Sequence, residues 1–111
     1  PKGTAYERSK QRAEELVLEQ ANSGIAIGRD AGCQIVLADR MASRVHARIE
    51  RRRDKFFLVD QSTNGTFVNF AGEAEVVLRR EEVMLRGGGR IAFGHSLGES
   101  AEETVDFIVE G

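Results

Sequence analysis

Three short stretches carry side chains suited to holding an anion: Gly28-Arg29, Ser43-Arg44-Val45-His46 and Ser62-Thr63-Asn64-Gly65-Thr66. An oxyanion calls for charge-assisted, forked donors, which guanidinium supplies, and serine and threonine hydroxyls add short O–H bonds beside it. Asn64 offers a donor and an acceptor on one side chain, enough to read a peptide unit at two points. Each stretch also has a plainer reading. Arg29 could be an ordinary surface charge, Ser43 a strand cap, and Ser62 to Thr66 a turn that satisfies itself, with Gly65 supplying positive φ.

Other chemistries find less support. Two histidines and one cysteine cannot be assembled into a metal-ligand spacing, and no nucleophile has a placed base, so neither a catalytic role nor a cofactor is expected. Cys33 reads as a small buried filler, and a lone cysteine implies a reducing, cytosolic setting. Gly87-Gly88-Gly89 lacks the Lys-Ser/Thr of a phosphate-binding P-loop and reads as a tight strand connection. Arg51-Arg52-Arg53 followed by Asp54 and Lys55 reads as a solvated hairpin tip, and no interleaved aromatics point to nucleic acid. The formal net charge of −2 agrees with that, because any anion binding must then be local. No run approaches the roughly 18 apolar residues of a membrane span.

The elements that must position these groups read as strands. The 111 residues suit one domain, and 41% hydrophobic with 31% charged residues excludes disorder. Residues 1–13 interleave Lys and Arg with Glu and are expected to be a linker tail, helical in part over Tyr6 to Leu16, ahead of a domain over 14–111. Short β segments then follow: Leu16 to Leu18, Ile25 to Ile27, Ile35 to Leu37, Val45 to Ile49, Phe56 to Val59, Phe67 to Asn69, Glu75 to Leu78, Val83 to Leu85, Arg90 to Phe93 and Val105 to Val109. In the fourth, alternation turns Ala47 and Ile49 to the core and His46 and Arg48 away from it. One proline and no long amphipathic helix make the chain all-β, a two-sheet sandwich or barrel.

In this order and spacing the three stretches resemble the forkhead-associated (FHA) domain, a phosphothreonine-binding β-sandwich of about eleven strands whose binding loops gather at one end. The resemblance covers roughly Leu16 to Val109, with Gly89-Arg90-Ile91-Ala92-Phe93-Gly94 similar to the family's late strand. The run Asp39 to Asn69, with Arg79-Arg80-Glu81-Glu82, looks most like FHA domains attached to bacterial adenylate/guanylate cyclases. Carried over, the pattern makes Arg29, Ser43 and Arg44 contacts to the phosphate and its peptide. Ser62, Thr63 and Asn64 form the second contact loop. Gly28, His46, Gly65 and Asn69 support these loops, His46 by a bracing hydrogen bond. The implied partner is a phosphothreonine peptide or protein, with no nucleic acid, membrane or metal.

The sequence departs from the family at Phe70, where glycine is common after the asparagine, in the loop Phe70 to Ala74, and at Met41-Ala42 before Ser43. Two function classes stay open: phosphopeptide recognition, and a phosphate-independent scaffold that binds another domain or a second copy of itself.

Overall fold

The computed structural model of the protein describes residues 6–8, 13–19, 24–95 and 103–110, and among them every regular element is a strand. One sheet contains β1 (Tyr6–Arg8), β2 (Ala13–Leu18), β11 (Thr104–Val109), β10 (Gly88–Phe93), β7 (Thr66–Phe70) and β8 (Glu75–Leu78), in that spatial order. The other contains β4 (Ile35–Val36), β3 (Gly24–Gly28), β5 (Ala47–Arg52), β6 (Lys55–Asp60) and β9 (Glu82–Leu85). Both sheets are mixed: β2 runs parallel to β11, and β3 parallel to β4, while the other pairs are antiparallel.

Alternation builds the core. Phe56, Leu58 and Ile49 from one sheet face Val68, Ile91, Phe93, Phe107 and Leu16 from the other, all essentially buried. Burying a side chain of this size is worth about 1.5 to 3 kcal/mol, so this layer carries the fold. Phe70, the departure after Asn69, is part of it and meets Phe107 edge to face at 5.8 Å between ring centroids.

Two expectations need correction. No helix occupies Tyr6 to Leu16 where it is described: β1 pairs antiparallel with β2, Tyr6 opposite Leu16, and β2 begins at Ala13. The remainder of 1–12 lies outside the described residues. His46 does not face solvent either. β5 begins only at Ala47, Val45 is exposed, and His46 is fully buried. Backbone bonds to both neighbouring strands explain this: His46 N–H donates to Ile27 O at 2.8 Å, and Gln61 N–H donates to His46 O at 2.9 Å. The ring is thereby trapped beneath the loops.

The chain changes sheet twice at one end of the sandwich, from β6 to β7 through residues 61–65 and from β8 to β9 through residues 79–81. The link from β4 to β5 lies at this same end, as the register Ile27 opposite Ala47 and Ala47 opposite Asp60 requires. Arg53-Asp54, residues 71–74 and Arg86-Gly87 turn the chain at the other end.

Candidate functional site

Asp60, the last residue of β6 and only 3% exposed, organises the crossover to β7. Its Oδ1 accepts the Ser62 hydroxyl at 2.6 Å and the Thr66 hydroxyl at 2.5 Å, and its Oδ2 accepts Arg80 N–H at 2.8 Å. Ser62 Oγ in turn accepts Gly65 N–H at 2.7 Å, which closes the turn. Gly65 sits at φ 97°, a conformation glycine adopts without steric cost. Buried polar groups are therefore paired throughout, which is what fixes a loop of this composition.

His46 ties this crossover to the segment before β5. Its Nδ1 accepts Ser43 N–H at 2.9 Å and its Nε2 donates to Gly65 O at 2.8 Å, while its ring meets Phe93 edge to face. Burial pushes its pKa below the ordinary imidazole value, although the Gly65 carbonyl and the charges of Asp60 and Asp39 pull the other way. Gly28 allows the β3 backbone to pass against the same segment, since a Cβ there would overlap the Arg44 carbonyl.

On this frame the three stretches meet. Ser43 Oγ accepts Thr63 N–H at 3.1 Å, and Asn64 Nδ2 donates to Met41 O at 3.0 Å. Arg29 N–H donates to Ser43 O at 3.1 Å, and its Nε donates to Ala42 O at 2.6 Å, so a backbone carbonyl anchors the guanidinium by one edge. Arg29, Arg44 and Thr63 are exposed, and Ser43 and Asn64 half-buried. Among the described residues the Ser43 hydroxyl proton, the terminal nitrogens of Arg29 and the Asn64 carbonyl have no partner, a set that suits a dianion on an extended peptide.

Asn69 stands apart. It lies near the far end of β7 and donates to Glu73 O at 3.0 Å, closing the β7–β8 hairpin instead of a loop of the cluster. The atypical loop Phe70 to Ala74 is at that far end too. Sequence reasoning assigned no role to Asp60 or Asp39. Asp39 caps Met41 N–H at 2.8 Å and accepts from His95 Nε2 at 2.7 Å. Burial raises the Asp39 pKa, but the hydrogen bonds from His95 and Met41 outweigh it and hold the carboxyl below its usual range. Glu103 accepts Ala38 and Asp39 N–H at 2.8 and 2.9 Å, fixing the start of the same segment. A hydroxyl two and six residues after an aspartate was the only signal Asp60 offered. Among the described residues no group of three or more His, Cys, Asp or Glu is placed to hold a metal. Among the described residues no helix is long and apolar enough to cross a membrane.

Comparison with known proteins places this geometry. The N-terminal FHA domain of S. cerevisiae Rad53p, solved in complex with a phosphothreonine peptide, is 28% identical at a TM-score of 0.60, covering 78% of this chain and 68% of that one. The FhaA FHA domain, solved with the intracellular domain of Rv3910, is 35% identical at a TM-score of 0.52, covering 67% and 75%. An FHA domain from a study of phosphothreonine-dependent interactions is also 35% identical, with a TM-score of 0.52, covering 67% and 71%. A search of the curated proteins finds no match. The family model for the FHA domain matches residues 25–94, which span β3 to the end of β10 and all three stretches, and the chain therefore belongs to the FHA domain family.

Proposed function

We propose that the protein is a phosphothreonine-dependent peptide-recognition module. The observation that carries this is the Ser43 Oγ to Thr63 N–H bond at 3.1 Å, which joins two distant stretches beside the anchored guanidinium of Arg29. In this reading Arg29, Ser43 and Arg44 hold the phosphate, Thr63 supports it from the second loop, and Asn64 holds the peptide main chain. Ser62, expected as a contact, is buried with its hydroxyl spent on Asp60 and on Gly65 N–H, so with Gly28, His46 and Gly65 it keeps the loops in place. The phosphothreonine peptide bound to the yeast relative supports the ligand class. Binding, with no bond made or broken, is the whole of the mechanism.

The narrower reading is that the module serves a bacterial, cytoplasmic signalling protein and regulates an attached nucleotide cyclase. It rests on the resemblance of Asp39 to Asn69 and of Arg79 to Glu82. The rival reading, a phosphate-independent scaffold, draws on the exposed Met41 and Val45 beside the site.

Amide chemical-shift mapping separates the two. A phosphothreonine peptide should shift residues 29, 43, 44 and 62–65, and its unphosphorylated twin should leave them in place. Equal shifts from both peptides favour the scaffold.

A further inference from the structure

The arginines whose side chains are described fall into two groups. Arg48, Arg52, Arg86 and Arg90 each pair with carboxylates, on Glu50, Glu50 and Glu82, Glu73, and Asp106 respectively. Arg29, Arg40, Arg44, Arg79 and Arg80 gather at the loop end, are exposed, and form no ion pair among the described residues. Arg51 and Arg53 likewise form no ion pair among the described residues, but they stand at the opposite end beside the Arg53-Asp54 turn.

The unpaired cations approach the Ser62 to Gly65 loop from two sides. Arg29, Arg40 and Arg44 come from the end of β3 and the segment before β5. Arg79 and Arg80 come from the β8–β9 crossover, which runs beside the β6–β7 crossover. Asp60 N–H donates to Glu81 O at 2.9 Å, and Arg80 Nε donates to Ser62 O at 3.1 Å. Arg79 Nη1 lies 3.7 Å from the point a Cβ on Gly65 would occupy. Arg80 holds φ 60°, which a residue other than glycine adopts only where its surroundings fix it, and its bonds to Asp60 and Ser62 do so. The carboxylates beside them are bonded to main chain: Asp60 Oδ2 accepts the Arg80 N–H at 2.8 Å and Glu81 Oε1 accepts the Arg79 N–H at 3.2 Å.

A phosphothreonine carries about two negative charges, which Arg29 and Arg44 can balance between them. Arg40, Arg79 and Arg80 are then surplus to the phosphate, and their field falls on whatever flanks it. We infer that the ligand is a phosphothreonine peptide whose flank carries further negative charge, from carboxylates or a second phosphate, and that Arg79, backed by Arg80, is the residue that reads it. This rests on the phosphopeptide reading above.

The test uses one phosphothreonine core in four forms: neutral flanks, an acidic triplet on the N-terminal side, an acidic triplet on the C-terminal side, and a second phosphothreonine. An unphosphorylated acidic peptide is the fifth. At least one acidic or doubly phosphorylated form should bind the wild type about fivefold tighter than the neutral form, a gain expected of a few exposed charge pairs. Arg79→Gln should remove most of that gain and Arg79→Lys should keep it, while neither changes affinity for the neutral phosphopeptide. The gain should also shrink in about 0.5 M salt, where the Debye length is only a few ångströms. A gain that is absent, or that survives Arg79→Gln, overturns the inference and leaves the phosphopeptide reading standing. Binding of the unphosphorylated acidic peptide as tight as that of its phosphorylated form overturns both.

Discussion

His46 and Gly65 are nineteen residues apart in the chain, yet the imidazole Nε2 lies 2.8 Å from the glycine carbonyl, which also accepts Gly94 N–H at 2.9 Å. Because Ser43 N–H already occupies Nδ1, only the neutral ring with its proton on Nε2 satisfies both neighbours. One buried side chain therefore holds the serine segment and the Asn-Gly loop in register.

The first prediction concerns pH. The folded-state pKa of His46 is depressed, so between that value and the ordinary imidazole value near 6.5 the unfolded chain binds a proton that the folded chain refuses. Stability is then full above about pH 6.5 and falls as pH drops below it. Thermal melts from pH 8 to 5 should show this decline, and His46→Gln should flatten it. A decline that persists unchanged in His46→Gln would show that other groups cause it.

Asp60→Asn should cost stability and loop order together. The amide replaces an acceptor by a donor, so it cannot accept both hydroxyls and the Arg80 N–H at once. Leaving one buried group unsatisfied costs about 1 to 3 kcal/mol. For a domain of this size that is a drop of roughly 5 to 20 °C in Tm. A melt within a degree or two of wild type would mean the crossover is held by other bonds.

Arg29→Ala should abolish phosphopeptide binding and leave the fold intact. Its one described side-chain bond, to Ala42 O, lies near the surface and contributes about 1 kcal/mol. Each charge-assisted bond to phosphate is worth about 1.5 to 3 kcal/mol, so losing two takes most of a micromolar affinity near −8 kcal/mol. Calorimetry on both proteins decides it, and unchanged affinity would remove Arg29 from the site.

Much of the sandwich was legible because strands buried on one face announce themselves by alternation. The apolar runs from Leu16 to Val109 correspond to β2 through β11. β1 escaped because it is a three-residue edge strand, Tyr6-Glu7-Arg8, that pairs only with β2, and backbone pairing leaves no mark in side-chain pattern. The parallel match of β2 to β11, across the whole chain, is equally silent in local sequence. Alternation carried back from Ala47 turns His46 outward, but β5 begins only at Ala47, so strand periodicity does not govern His46. The meeting of Ser43 with Thr63 follows the family resemblance, whereas Asp60 and Asp39 act through buried hydrogen bonds whose partners only the fold brings near. Asn69 shows the limit of carrying a role along a motif: four residues of strand beyond Gly65 take its side chain to the far end of β7.

The most direct measurement is calorimetric titration of one peptide carrying threonine, phosphothreonine or phosphoserine at the same position, above the second phosphate pKa of about 6 so that both phosphates are dianions. The account predicts micromolar binding of the phosphothreonine form and none of the threonine form. Phosphoserine should bind about tenfold or more weakly, since a shaped pocket discriminates one methyl by roughly 1 to 3 kcal/mol. Equal dissociation constants for the threonine and phosphothreonine peptides would contradict phosphate-dependent recognition. Equal constants for the two phosphorylated peptides would reduce the site to one that reads charge alone.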